Sequence, residues 1–470
     1  MMQLFLASAE VSGGTTAFFG VLLVLMILAL ALEEKLHAKK SLITGLAAMI
    51  TLFFGFAFGV MPHEHVMLGG HELHMPIYVA AVEWEVIAII LGASLFVDVT
   101  SRSGIFTWIA VKLTKKTGGD PLLLLLAYGV LTVLFSAFLN NVTAMIIVGS
   151  LTAVSLKRLG MTDKLLGFLL LEGLMTNVGG LLTLISSVPN IIVGQKAGIT
   201  FGFFFLVAAP FVILATVVSL WFGKRVFGIA RLASAEEKAQ AAELVAGFDE
   251  NDGIGSQRFF WGSVLGFGLF VVFLAGAGFI PVIRDLGMGY VALAFAGIFL
   301  LVYKNQVNSF YSALDWDLLA FFATLFVVIN VMEHAQVLAT LGYALNWLLS
   351  LGENVGLVAL LWSSSILSSV TDNIPLAAMM AKILGAKSDP ALTSHSMEWW
   401  AVIFGSNLGG NITPIGSAST VVAVTIMHKH DVKMTFLGFV KRAAPFAALQ
   451  LSIATGYLLL LKPILNWLDS

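Results

Sequence analysis

The sequence contains no cysteine, which excludes disulfide bonds, thiolate metal sites and cysteine nucleophiles. Charge is also scarce, because Asp, Glu, Lys and Arg make up 11% of the 470 residues, against roughly 25% in soluble domains. No Walker A lysine motif is present, which argues against an ATP-driven pump. The sequence has no basic stripe that would suggest a nucleic-acid partner. It also has no nucleophile–base pair that would suggest an enzyme. The chain is instead 59% hydrophobic, as a polytopic membrane protein is.

Long apolar windows set the predicted membrane spans. They fall near 15–32, 41–61, 77–99, 121–156, 164–196, 200–223, 259–280, 287–303, 316–334, 356–384, 397–428 and 435–461. Cytoplasmic segments of membrane proteins hold an excess of Lys and Arg. If the cytoplasmic segments here are 33–40, 100–120, 157–164, 224–258, 304 and 429–442, they hold 20 of the 25 Lys and Arg. This orientation holds only if 121–156 and 356–384 are re-entrant hairpins; two ordinary crossings each are the alternative. Ten crossings then remain, with both termini outside.

Two related segments interrupt apolar runs and indicate an internal repeat. Thr176–Asn190 (TNVGGLLTLISSVPN) and Ser406–Thr420 (SNLGGNITPIGSAST) share Asn, two Gly, Thr, Ile and Ser at a separation of 230 positions. Paired glycines and prolines cannot continue a stable helix there. Broken helices at membrane depth persist where they line a cavity. Because the predicted orientation inverts one copy, the pattern is that of the inverted repeats of secondary transporters.

These observations predict an all-α polytopic membrane protein of the inverted-repeat transporter class, with two re-entrant hairpins and two broken helices. The predicted divisions are N-terminal scaffold helices with an external His-rich loop (1–76), a first repeat (77–223) with hairpin 121–156 and broken helix 164–196, a cytoplasmic linker (224–258), further scaffold helices (259–315), and a second repeat (316–470) with hairpin 356–384 and broken helix 397–428. Within the linker, 233–246 is expected to form a short polar helix.

Asp372 is the most informative single residue. An aspartate at the bilayer centre costs on the order of 3 kcal/mol on insertion scales, so a role must justify it. At the predicted tip of the second hairpin it could bind a cation, carry a proton, or cap the returning helix. Its counterpart in the first hairpin is the neutral Asn140. The cavity would therefore carry a fixed charge near −1, which favours a monovalent cation, although helix N-termini could also admit an anion.

Further oxygen-bearing side chains cluster at the tips and breaks. Hard cations such as sodium take these ligands, whereas the alternative is ordinary polarity at helix contacts. The candidate ion-binding residues besides Asp372 are Asn140, Asn141, Thr143, Asn177, Ser186, Ser187, Asn190, Asn373, Asn407, Asn411, Thr413, Ser417 and Ser419.

Two other groups of residues are weaker candidates. Glu172, in the apolar run before Asn177, is either a second proton-coupling group beside Asp372 or a buried structural partner. Four histidines crowd the predicted external loop, where a loose metal site or a pH sensor competes with a simple solvated loop. They are His63, His65, His71 and His74.

The quoted motifs, with SAFLNNVTAMII and SSVTDNIPLAAMM, resemble the ArsB/NhaD group of ion permeases, in particular its P protein-like branch. The resemblance implies scaffold-plus-transport repeats, elevator-like movement of the hairpins and broken helices, and a homodimer. Relatives exchange sodium for protons, export arsenite, or carry organic anions. Asp372-Asn373 matches the sodium/proton pattern. This chain departs from it at Asn140, where an Asp is usual, and at Ser187, where an acidic residue is usual.

The sequence therefore predicts an inner-membrane secondary transporter of prokaryotic type, whose partners are the lipid bilayer and a small inorganic or organic ion. Cation (sodium)/proton antiport centred on Asp372 is the leading hypothesis. The alternative is a permease for arsenite-like oxyanions or small carboxylates such as citrate, coupled to sodium or protons. No cofactor is expected, and sodium would enter as the transported or coupling ion.

Overall fold

The structure is a computed structural model that describes residues 11–61, 65–68, 71–387 and 391–469. The first elements are α1 (Gly13–Ala31), α2 (Glu33–Leu36), α3 (Lys40–Ala57), β1 (His65–Leu68), β2 (His71–His74), α4 (Ile77–Ala80), α5 (Trp84–Ser101) and α6 (Ile105–Lys116). They are followed by α7 (Pro121–Ser136), α8 (Asn141–Arg158), α9 (Leu165–Gly179), α10 (Val188–Ala197), α11 (Phe201–Val226), α12 (Ala235–Ala246), α13 (Gln257–Gly276) and α14 (Pro281–Val302). The remainder comprises α15 (Val307–Ala313), α16 (Trp316–His334), α17 (Val337–Ser350), α18 (Glu353–Val370), α19 (Asn373–Gly385), α20 (Met397–Gly409), α21 (Ala418–Lys429) and α22 (Phe436–Asp469), with 3₁₀ turns at Thr162–Lys164 and Lys304–Gln306.

Helices dominate because a chain this apolar must satisfy its backbone hydrogen bonds within each segment when it lies in lipid. Nine helices in the described ranges are long and apolar enough to cross a bilayer, and the molecule is an integral membrane protein. They are α1, α3, α5, α11, α13, α14, α16, α18 and α22. The broken pairs α9/α10 and α20/α21 supply two further predicted crossings, whereas α18 is one arm of a hairpin.

Two helical hairpins occupy the predicted positions. Residues 137–140 join α7 to α8, and residues 371–372 join α18 to α19. The 13 residues of α19 extend about 20 Å, too short to cross a hydrocarbon core of about 30 Å. Each hairpin ends at the depth of a helix break, because Ser136 Oγ donates to Thr176 O at 2.6 Å and Ser368 Oγ donates to Ser406 O at 2.6 Å. Both hairpins therefore turn beside a helix break, as the re-entrant interpretation predicts.

Paired glycines let each hairpin approach its broken helix closely. A Cβ on Gly179 would lie 2.6 Å from Val133 O in hairpin α7/α8, and one on Gly409 would meet Ser365 O in hairpin α18/α19. Both are backbone atoms, which cannot move aside as a side chain can. The glycines of the repeated motif therefore serve packing as well as the helix break.

The remaining long helices include two parallel pairs, and each pair joins the N-terminal half of the chain to the C-terminal half. In the pair α3/α16, Ser41 Oγ donates to Asp317 Oδ1, and the hydroxyls of Thr44 and Thr324 are 2.6 Å apart. In the pair α5/α14, Gly289 N donates to Glu85 Oε1 at 2.8 Å. The Glu85 carboxylate fits there because α14 bends at Gly287, whose φ of 81° favours glycine.

The linker forms the predicted polar helix and packs on the base of the first hairpin. A capping box between Ser234 and Glu237 starts α12. Leu232 N donates to Asp120 Oδ2 at 3.2 Å, and the Arg158 guanidinium lies 4.6 Å from the centre of the Phe248 ring. The linker is therefore attached to both arms of hairpin α7/α8.

One local departure from the all-α prediction lies in the His-rich loop. Strands β1 and β2 pair antiparallel, with His65 opposite His74 and Leu68 opposite His71. Two glycines separate the strands in sequence, a spacing typical of a short β-hairpin. His63 lies outside the described residues.

Candidate functional site

Polar side chains close the first helix break. Between α9 and α10, Asn190 Nδ2 donates to the carbonyls of Gly180 and Thr183 at 2.7 and 3.0 Å, and Ser186 Oγ donates to the same two oxygens. Helix ends leave such carbonyls without intrahelical partners. Ser186 and Asn190, two of the predicted site residues, thus stabilise the break by donating hydrogen bonds to its backbone carbonyls.

The second break is closed in a similar way. Thr420 Oγ1 donates to the carbonyls of Pro414 and Ser417, at the position that corresponds to Asn190. Thr413 Oγ1 donates to Ser369 O at 2.6 Å and so ties this break to hairpin α18/α19. Thr413 is a structural residue of the site.

The two breaks face each other across a pseudo-two-fold axis. Ser417 Oγ donates to Asn177 Oδ1 at 3.0 Å, and its counterpart Ser187 Oγ donates to Asn407 Oδ1 at 2.7 Å. Each bond joins one repeat to the other, and all four side chains were predicted as site residues. These reciprocal bonds are what an inverted repeat predicts for its two half-sites.

Further bonds extend this pair into one buried network. Asn177 Nδ2 donates to Asn411 Oδ1 at 2.8 Å, and Asn407 Nδ2 donates to Asn190 Oδ1 at 2.9 Å. Ser419 Oγ accepts from Thr176 Oγ1 at 2.7 Å. Amides and hydroxyls hold one another in place here, and no charged group takes part.

Sequence reasoning missed two members of the network that lie outside the repeated motifs. Asn411 Nδ2 donates to Gln450 Oε1 at 2.7 Å, and Gln450 Nε2 donates to Ser219 Oγ at 3.1 Å. Both side chains are buried in the long helices α22 and α11. A glutamine inside the apolar run AALQLSIA was the available signal, since polar residues within membrane helices are costly.

The first hairpin tip is bonded to the network through Asn141. Asn141 Oδ1 accepts from Ser136 Oγ at 2.5 Å, and Asn141 Nδ2 donates to Asn177 Oδ1 at 3.3 Å. Asn140 caps α8 by accepting from Val142 N at 2.9 Å, and its side chain is exposed. Asn141 therefore belongs to the first half-site, and Asn140 lies at its open edge.

The second hairpin tip carries the charge and has a partner that the sequence did not indicate. Asp372 Oδ1 caps α19 by accepting from Ile374 N at 3.0 Å. Its Oδ2 accepts from Lys40 Nζ, 2.5 Å away at the start of α3. The capping alternative for Asp372 is thus correct, and an ion pair accompanies it.

Two predicted tip residues and Asp372 lie outside the network. Thr143 and Asn373 are half-buried beside their tips. In the part of the chain that the structure describes, Asn373 forms no bond to Asn407, although its counterpart Asn141 bonds to Asn177. The structure thus assembles the first half-site, whereas among the described residues the second hairpin is bonded to its break through Ser368 and Ser369 and not through Asn373.

Glu172 lies away from both tips. Its Oε1 accepts from Thr152 Oγ1 of α8 at 2.5 Å, and the side chain is fully buried. Oε2 has no hydrogen-bond partner among the described residues. Glu172 therefore contacts the arm of the first hairpin and not the residues that line the breaks.

The arrangement favours binding of a small ion. Four helices, α8, α10, α19 and α21, begin at the tips and breaks, where their N-terminal amides carry partial positive charge. Amide and hydroxyl oxygens surround these termini, and one carboxylate, Asp372, stands at their edge. Oxygen ligands suit a hard cation, and helix N-termini suit an anionic group.

Comparison with known proteins agrees with this architecture. A 46 kDa membrane protein of Mycobacterium leprae is 29% identical over 433 residues, which are 92% of this chain and 95% of that protein. The human P protein is 26% identical over 467 residues, which cover 82% of this chain and 55% of the P protein. The YdaH transporter of Alcanivorax borkumensis shares the fold, with a TM-score of 0.59 at 13% identity over 96% of this chain and 98% of that one.

The matches refine the resemblance noted from the motifs. They support a relation to the P protein, and they do not single out arsenite or sodium/proton permeases. A family model described as "Citrate transporter" matches residues 21–405. The chain is a membrane transporter, not an enzyme, and it belongs to the CitMHS citrate transporter family.

Proposed function

We propose that this transporter moves or co-transports a monovalent cation through a site centred on Asp372, with exchange of sodium for protons as the leading form. The observation that carries the proposal is the ion pair at the second tip, where the Asp372 carboxylate already holds a positively charged ammonium. A carboxylate that binds an amine cation can bind sodium or a proton in its place. Asp372 is then the titratable group whose protonation releases sodium.

The rest of the cation shell would come from both half-sites. Asn141 and Asn177 already lie together, and Asn373 is next to Asp372 in the chain. Closure of the second tip onto its break would bring the Asp372 carboxylate to these amide oxygens. Sodium binds to such mixed carboxylate and amide oxygens.

Movement of the hairpins would carry the ion across the membrane. The pairs α3/α16 and α5/α14 join the two repeats and form a candidate scaffold, whereas the hairpins are bonded to the broken helices. An elevator-like displacement of hairpins and breaks together preserves the site while its access changes. A homodimer of such scaffolds is part of the same proposal.

Sodium-driven dissipation of a pH gradient in proteoliposomes tests the cation proposal. We expect the unaltered chain to dissipate an imposed gradient when sodium is added, and Asp372→Asn to reduce this to the level of protein-free vesicles. Thr371→Ser, a change at the same tip that keeps the carboxylate, is the matched control. Sodium-dependent exchange that persists in Asp372→Asn would overturn the proposal.

A small carboxylate such as citrate is the second candidate substrate. Four helix N-termini lie at the tips and breaks, the charge of Asp372 is balanced by Lys40, and the family match is to citrate transporters. Countertransport of labelled citrate into citrate-loaded vesicles separates the candidates. Citrate-dependent uptake that requires sodium would make the cation a coupling ion, and uptake without sodium would favour protons.

A further inference from the structure

The Asp372 carboxylate has no free oxygen in this structure. Oδ1 caps α19 and Oδ2 binds the Lys40 ammonium, whose other carboxylate neighbour is Glu33, with its Oε1 3.8 Å from Nζ. The side chains of Lys40 and Asp372 are 29% and 11% exposed. A cation that binds Oδ2 therefore competes with this ammonium.

The ion pair joins the second tip to a different structural unit. Lys40 is the first residue of α3, beside the start of α16, where Ser41 binds Asp317. At the far end of the same hairpin arm, Lys382 Nζ lies 3.3 Å from Glu333 Oε2 near the end of α16. Helix α19 thus extends along α16, and Lys40 holds its tip.

The contacts between the paired helices identify the counterpart of Lys40 in the other repeat. Glu85 and Asp317 are equivalent, and they accept from Gly289 and Ser41 respectively. Likewise Gly92 packs on Ala292, and the equivalent Thr324 bonds to Thr44. In both comparisons, Ser41 with Gly289 and Thr44 with Ala292, the residue of α14 follows its counterpart in α3 by 248 positions.

By this separation the counterpart of Lys40 is Met288, and the counterpart of Asp372 is Asn140. The half-site at the second tip therefore carries both members of the ion pair, one from each half of the chain, and the half-site at the first tip carries neither. The charge pair also coincides with a structural difference, because Asn141 reaches its break and Asn373 does not. The Lys40–Asp372 ion pair therefore lies at the tip whose asparagine, Asn373, forms no bond to its break among the described residues.

We propose that Lys40 is a tethered cation that competes with the transported cation for Asp372. While Lys40 holds the carboxylate, Asn373 stays unbonded to Asn407, and the Asp372–Lys40 pair itself carries no net charge. When sodium displaces the ammonium, the tip closes and Asn373 joins Asn407. This inference rests on the cation site proposed above, and it adds the residue that sets the affinity of that site.

The absence of native cysteine allows a direct test by chemical modification. Purified Lys40→Cys is divided in two; 2-bromoethylamine restores an ammonium of nearly lysine length, and iodoacetamide adds a neutral amide. Both samples come from one folded preparation, so a folding defect cannot separate them. The half-saturating sodium concentration for dissipation of a pH gradient is then measured in proteoliposomes, beside Lys40→Met and Lys40→Arg.

We expect the half-saturating sodium concentration to fall about fivefold in Lys40→Met and in the amide-modified sample. Loss of about 1 kcal/mol of ion pairing produces a change of this size. The aminoethylated sample and Lys40→Arg should stay near the unaltered value. An unchanged or raised half-saturation in the neutral variants overturns the competition, provided that Asp372→Asn has lost exchange. Persistent exchange in Asp372→Asn instead overturns the cation site, and the competition with it.

Discussion

The two hairpin tips have the same construction and different bonds. In each, a polar residue caps the returning helix, Asn140 in the first and Asp372 in the second, and an asparagine follows. In the first tip that asparagine, Asn141, is bonded to Ser136 and to the broken helix. In the second tip the capping carboxylate is bonded to Lys40 of α3, and among the described residues Asn373 forms no bond to Asn407.

This difference shows how a symmetric fold can hold an asymmetric site. The breaks themselves are matched, since the Ser417–Asn177 and Ser187–Asn407 bonds are equivalent. Asymmetry enters at the tip of the second hairpin and at the start of α3, each by one charged side chain. Under the function proposed above, this unequal charge would let one half-site respond to cations while the other stays neutral.

The largest expected effect comes from moving the charge between the tips. In the double variant Asn140→Asp, Asp372→Asn the carboxylate would face Met288 at the equivalent position and Lys40 would lose its partner. We expect sodium-dependent exchange at the level of protein-free vesicles, measured with a pH-sensitive dye in the lumen. Asn140→Asp alone should retain exchange. Recovery of exchange in the double variant would show that the tips are interchangeable.

The next effect concerns the close packing that both half-sites share. We expect Gly179→Ala and Gly409→Ala each to destabilise the protein by about 1–3 kcal/mol, because the added methyl meets backbone carbonyls in the facing hairpin. Thermal unfolding in detergent measures the change. Gly456→Ala in α22 is the control, since nothing lies within 4 Å of its added methyl. A larger loss at one glycine than at the other would reveal unequal packing of the hairpins.

Substitutions of the matched asparagines in the two breaks should lower protein stability by similar amounts and change transport by different amounts. Asn177→Ala and Asn407→Ala each leave buried partners without a bond, at a cost of about 1–3 kcal/mol. Because Asn177 also holds Asn141, we expect Asn177→Ala to raise the half-saturating sodium concentration more than Asn407→Ala does. Unfolding curves and sodium titrations of both variants check this order. The reverse order would place the bound ion nearer the second break.

The smallest effect is expected at Glu172, whose counterpart in the second repeat is Val402. Glu172→Gln retains an oxygen that can accept from Thr152 and removes the titratable proton. We expect exchange to continue with its pH dependence unchanged, measured as the rate across a series of buffers. A lost or shifted pH profile would instead make Glu172 a second proton carrier beside Asp372.

Much of the fold could be predicted because its signals are local or repeated. Gly409, Gly410 and Pro414 within an apolar run predict a broken helix wherever the run lies. The re-entrant hairpins followed from the positions of lysine and arginine around them. The β-hairpin at His65–His74 was missed because strands this short resemble a loop in sequence.

The site could be predicted only in part. Asn177, Asn407 and Ser417 were identified from the repeat, and the structure brings them together. Gln450 was missed, because its partner Asn411 lies in the second break and not in its own helix. Lys40 looked like an ordinary charge at a membrane boundary, and the distance between its ammonium and Asp372 depends on how α3 and the second hairpin pack.

The amino-acid sequence by itself determined the class of this protein, the two broken helices and the position of the single tip carboxylate. Each of these follows from the composition and order of a short segment, and from the cost of polar groups in lipid. The tertiary structure alone decided which groups that carboxylate meets. Lys40 and Asp372 are 332 positions apart, and the equivalence of Lys40 with Met288 depends on helix pairing that leaves no sequence likeness. The sequence therefore shows where the carboxylate of the candidate site lies, and the packing of α3 against the second hairpin brings the Lys40 ammonium to it.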